Sequence, residues 1–301
     1  MLLNKPIPFK YIFNKVKYEL MYVLLIGLAV YFIKTAFAKA IPEIPLTIPT
    51  FLGTAISVIL SFKLSQSYDR WWEARKIWGS IVNDSRNLVL QLQSFLKIGN
   101  EHVIRRIALR QIAWCYCLGQ TLRELDSLDG LEKYLDNQDL KELEMHSNKP
   151  LGLLQLTTRD LKNLRENDQV DLYSHVQLNT TLVNLTNSMG MAERIKGTIF
   201  PVTYRIFLHM IIYLFIVLLS ISLRTLESHF EIPLLLIIAA LFFLLERTAT
   251  HLQDPFSNKP TDTAMTAIAT TIEINLRQLI REKQIPKPAA PTEFILNNIT
   301  F

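Results

Sequence analysis

Of the 301 residues, half are hydrophobic and one fifth charged, with a formal net charge of +5 and a mean hydropathy of +0.20. That balance argues against an ordinary soluble protein of this length and for a membrane protein. The two cysteines, Cys115 and Cys117 in "AWCYC", have no neighbouring histidine or second cysteine pair to complete a metal site, so they read as buried core thiols.

The opening "MLLNKPIPFK" lacks the charged start, apolar middle and small-residue cleavage site of a signal peptide, so the apolar segments are expected to stay attached. The first of them, residues 20–38, is long enough to cross a hydrocarbon core, with Lys34 near its far end placed to snorkel to the interface. Prolines at 42, 45 and 49 then predict a short loop.

The second segment, about 49–68, has a continuous apolar part of roughly 13 residues, short of the ~20 that a lipid-facing helix needs. At helical spacing Thr54, Val58 and Phe62 form one stripe, and Gly53, Ser57, Ser61 and Ser65 a neighbouring one. The small-residue stripe permits close helix approach. The other suits lipid, a neighbouring helix or a water path. So short and hydroxyl-rich a segment belongs inside protein, and a ring of several copies can enclose both it and a path along the axis.

Directly after it, "SYDRWWEARKIWG" holds three of the four tryptophans. Trp71, Arg75 and Trp78 share a face, and Trp72 with Lys76 is spaced for a cation–π contact. Two readings stand open, an interfacial aromatic belt and a specific packing role. Its charges Asp69, Arg70, Glu73 and Arg75 are expected to pair among themselves or across subunits at a hinge below the bilayer.

Residues 70–203 show helical periodicity and almost no strand alternation. Arg105, Arg106 and Arg110 are expected on a solvated or intersubunit face opposite Ile104, Ile107 and Ile112, with no interleaved aromatics to suggest nucleic acid. Leu131, Leu135, Leu140 and Leu143 predict a helix starting after Asp129 and Gly130. Segments three (204–223) and four (231–246) are joined by a link short enough to make them an antiparallel hairpin. His209 within the third reads as a hydrogen-bonded packing residue. A turn-rich stretch, a helix at 265–282 and an extended proline-containing tail follow.

Lys5, Lys10, Lys15 and Lys17, then Arg70, Arg75 and Lys76, then Arg194, Lys196 and Arg205 flank one side of the spans, against Lys39 and Arg224 on the other. The positive-inside rule puts both termini and 70–203 in the cytoplasm. The organisation is thus 1–69 with two spans, 70–203 helical and cytoplasmic, 204–248 with two spans, and 249–301 cytoplasmic. No phosphate loop, dinucleotide fingerprint, H-E-x-x-H or G-x-S-x-G is present, and neither an enzyme nor a cofactor is expected.

"GTAISVILSFKLSQSYDRWWEARKIWGSIVNDSRNL", "GMAERIKGTIFPVTYR" and "DPF" at 254–256 together resemble the bestrophin family, through Arg70-Trp71-Trp72, the Glu193-Arg194 stretch and Asp254-Pro255, in the family's order. The resemblance implies an all-α, four-span homopentamer around a central pore for monovalent ions in a bacterial inner membrane, chloride by family with cations also known. It implies a hydrophobic neck at Thr54, Val58 and Phe62, where Thr54 replaces a larger aliphatic residue. A cytoplasmic aperture falls at Leu172 or Tyr173, for which a place in a subunit core is the alternative. The calcium clasp of eukaryotic members is reduced to Asp254 and Asp262, so no calcium activation is expected. The competing reading is a membrane-anchored scaffold that binds an unidentified cytoplasmic partner and passes no ions.

Overall fold

The computed structural model describes residues 9–37, 43–198, 201–223, 228–259 and 262–289, with two short strands at 295–296 and 299–300. Lys5, Lys39, Pro42 and Arg224, used above, lie outside the described residues, as does part of the proline-containing tail. The helices are α1 (Phe9–Ala36), α2 (Thr47–Phe95), α3 (Glu101–Leu122), α4 (Asn137–Glu144), α5 (Lys149–Glu166), α6 (Leu172–Gly197), α7 (Val202–Ser222), α8 (Ser228–Leu252) and α9 (Met265–Leu279). The strands β1 (Ile295–Leu296) and β2 (Ile299–Thr300) pair antiparallel, Ile295 opposite Thr300. Among the described residues the fold is otherwise all-α, as expected.

The chain divides into two compact units: Lys5–Trp71 with Ile199–Asp254 and Glu293–Phe301, and Met1–Asn4 with Trp72–Thr198 and Pro255–Thr292. Four helices, α1, α2, α7 and α8, are long and apolar enough to cross a membrane.

In the first unit α1 packs on α7 and α8, around Val16, Val23, Ile56, Leu60, Ile212, Ile216, Ala239 and Phe243. α1 begins eleven residues before the expected start, because "FKYIFNKVKYE" mixes lysines with apolar positions at helical spacing and so escapes a hydropathy reading. Val16 in that stretch is fully buried. α2 is one uninterrupted helix of 49 residues, about 74 Å at 1.5 Å per residue. There is thus no break at the tryptophan-rich stretch.

The second unit is built around α3, which is buried on nearly all sides between α5, α6 and α9. Trp78, Ile107, Ile112, Trp114, Cys115 and Cys117 lie in its core, as expected of the thiols. Burial pushes both thiols up to about 12.

Two expectations fail here. Arg110 is buried and not on a solvated face: its guanidinium donates to Asp139 at 2.7 and 3.1 Å and to Asp160 at 2.7 Å. Asp160 also accepts from Arg106 at 2.8 Å, so two carboxylates answer two arginines, which is how a guanidinium can leave water. The helix predicted after Gly130 begins instead at Asn137. Asp136 caps it by accepting from the N–H groups of Gln138 and Asp139, while Leu131 and Leu135 are buried from turns.

Candidate functional site

The N-terminal half of α2 has two different faces. Gly53, Ile56, Leu60, Lys63 and Ser67 are buried against the rest of the first unit, whereas Thr54, Val58 (50% exposed) and Phe62 (66% exposed) are uncovered. The buried face approaches closely at Gly53, where a Cβ would stand 3.0 Å from the Phe215 ring. Of the small-residue stripe only Gly53 packs in this way. Ser57 and Ser61 are exposed and return their hydroxyls to the carbonyls four residues earlier, at 2.9 and 2.8 Å, as Thr54 does at 2.9 Å. The uncovered face therefore presents satisfied hydroxyls and apolar side chains, with no charge from Thr54 to Phe62.

The next residue is charged and turned the other way. Lys63 Nζ donates to Glu246 Oε1 at 2.8 Å and to Thr250 Oγ1 at 3.0 Å. The His209 ring stands edge-on to Phe243, its Nε2 3.3 Å from Glu246 Oε2, close enough to pair but off the line of a good hydrogen bond. A second such cluster joins α1 to α8. Lys34 does not snorkel: it is 7% exposed, and its Nζ donates at 2.7 Å to Glu231 and to the Ser220 carbonyl, while Ser220 Oγ donates to Glu231 at 2.6 Å. Arg247 pairs with the buried Glu19. These convergent polar groups among the spans were missed in the sequence, where each is a single charge inside or beside an apolar run. Ionisable residues at such depth are the signal that would have found them.

Further along α2, Arg70 Nε donates to the Gln253 carbonyl at 3.1 Å, tying α2 to the end of α8 next to Asp254. Trp71 packs at 5.9 Å on Tyr68. Trp72 is 47% exposed, while Trp78 is fully buried in the second unit, so Trp78 is a packing residue and no part of a lipid-facing belt. Glu73 pairs with Arg194 at 2.8 Å, not with a neighbour in its own stretch, and Glu193 accepts from Asn148 at 2.9 Å. Pro255 lies in a turn whose carbonyl accepts from Thr263, and Phe256 is buried in the core. Asp262 accepts from Ser257 and from the Lys259 N–H, so its carboxylate serves that loop.

Leu172 and Tyr173 occupy the first turn of α6, capped by Asp171, which accepts from the N–H groups of Tyr173 and Ser174. At 56% and 87% exposed they are not in a subunit core. The neck candidates belong to the first unit and this pair to the second. Among the described residues no group of three or more His, Cys, Asp or Glu side chains has the geometry to hold a metal ion.

Comparison with known proteins fits this arrangement. The family profile of bacterial/fungal bestrophin proteins matches residues 4–278. The voltage-dependent anion channel-forming protein YneE of Escherichia coli (strain K12) is 30% identical over 282 residues, 93% of this chain and 91% of that protein. Its namesake in Salmonella typhi is 31% identical over 80% of this chain and 79% of its own length. The crystal structure of a bacterial bestrophin homologue from Klebsiella pneumoniae superposes with a TM-score of 0.83 at 26% identity, covering 89% of this chain and all of that one. The chain is a multi-pass membrane protein and belongs to the bacterial/fungal bestrophin family.

Proposed function

We propose that the protein is an ion channel, assembled as a homopentamer in a bacterial inner membrane with both termini cytoplasmic. The observation that carries this reading is the two-faced N-terminal half of α2. One face is packed into its own protomer through Gly53 and Lys63; the other leaves Thr54, Val58 and Phe62 uncovered by the described residues. In a ring of copies these side chains would form an apolar neck that gates by dewetting, with Thr54 making its outer end wetter. Leu172 or Tyr173 would form a second constriction at the cytoplasmic exit. Arg70, Trp71, Trp72, Glu193, Arg194, Asp254 and Pro255 would hold the helices that move, without touching the ion.

The names of the relatives point to anion conduction, with monovalent ions as the permeant class. Because Asp262 is engaged in its own loop, channel opening would not require calcium. Purified protein in liposomes should pass ions, and light scattering in detergent should give five times the 34.8 kDa chain. A monomer, or liposomes that stay tight, would favour the membrane-anchored scaffold instead.

A further inference from the structure

α2 and α6 run antiparallel in the second unit, joined at one end by Glu73 and Arg194 at 2.8 Å and at the other by Thr181, which donates to Gln91 at 2.8 Å. Midway between these joints the helices leave a groove of about 430 Å³. Ser80, Asn83 and Asp84 line it from α2, and Asn184, Asn187 and Ser188 from α6, with Met191 its one apolar member. Asn184 faces Asp84 across the groove, and no lysine, arginine or histidine is among the lining residues.

We propose that this groove binds a monovalent cation. Carboxamide and hydroxyl oxygens supply neutral ligands from both helices, and Asp84 supplies the single negative charge that sets the sign. One carboxylate suits an ion of charge one, whereas Ca²⁺ draws on several acidic ligands and Mg²⁺ on a small rigid octahedron. An anion would meet the donor ends of the same amides, but with a carboxylate among them and no compensating cation.

The binding does not depend on the channel reading.

The test uses crystals of the full chain soaked separately in Tl⁺ and Br⁻, with anomalous scattering as the readout. The expected result is a Tl⁺ peak beside Asp84 and the facing amides, lost in Asp84→Asn crystals and retained in Asn187→Asp crystals. A Br⁻ peak in the groove, no peak with Tl⁺, or a Tl⁺ peak unchanged by Asp84→Asn would overturn the proposal. Liposome flux is read separately. Absent flux with a Tl⁺ peak would defeat the channel reading alone; flux without the peak would defeat the site alone.

Discussion

Lys63 and Glu246 meet at 2.8 Å with side chains 2% and 0% exposed, so the residue that follows the neck candidate Phe62 is anchored inside its own protomer by a buried ion pair. The pair fixes the helical phase of α2. With Lys63 held inward, Phe62, 100° around the helix, is directed away from the protomer.

Removing one partner of this pair is predicted to be far worse than removing both. Lys63→Met or Glu246→Gln leaves an uncompensated buried polar group or charge, at a cost of roughly 3–5 kcal/mol, whereas the double variant Lys63→Met/Glu246→Leu recovers much of the loss. Thermal unfolding of the three purified variants, followed by size-exclusion chromatography, measures this. Equal destabilisation by single and double variants would show that the pair does not act as a unit.

The pair between Glu73 and Arg194 should behave oppositely. Its side chains are 38% and 63% exposed, so a double-mutant cycle to alanine is expected to give about 0–1 kcal/mol of coupling. The buried Arg110 is the contrast: Arg110→Met strips Asp139 and Asp160 of a shared partner and is expected to cost several-fold more in the same assay.

Cys115 and Cys117, with thiols pushed up to about 12, are expected to resist alkylation in the folded protein and to react on denaturation. The linkage has a definite sign. From the ordinary thiol value of 9.0 up to about 12 the unfolded chain loses these protons first, so each thiol lowers stability as pH rises through that window. Replacing both cysteines by alanine should flatten the decline, as read from denaturant midpoints measured from neutral pH to pH 11.

Conductance is expected to follow the size of the uncovered α2 side chains. Phe62→Ala and Val58→Ala should each raise open probability or single-channel conductance in planar bilayers, Phe62→Ala the more, because a wider and less apolar constriction dewets less readily. Ile56→Ala and Leu60→Ala, on the buried face, should act through stability instead.

Much of this is legible in the sequence. The apolar runs gave four spans, and the four-residue spacing of Thr54, Val58 and Phe62 gave one face of a helix, because both signals are local and periodic. The buried partners were not legible. Lys34 reads as interfacial and Arg110 as solvated, and Lys63 gives no signal, because a charge in sequence carries no mark of its partner, and Glu231, Glu246 and Asp139 lie far along the chain. The start of α1 was hidden by lysines that share turns with Val16, and the start of α4 by leucines that turned out to be buried from turns ahead of the Asp136 cap. Trp78 could be a belt or a core residue until its surroundings were known.

On the proposed function, Val58 and its stripe face the path the ions take. Because Cys115 and Cys117 are buried, a single introduced thiol in V58C can be attacked selectively by a charged, membrane-impermeant methanethiosulfonate reagent during recording in planar bilayers. A progressive, irreversible loss of current is expected in V58C and none in the unmodified protein. Current through V58C that survives complete modification, verified by mass, would contradict it.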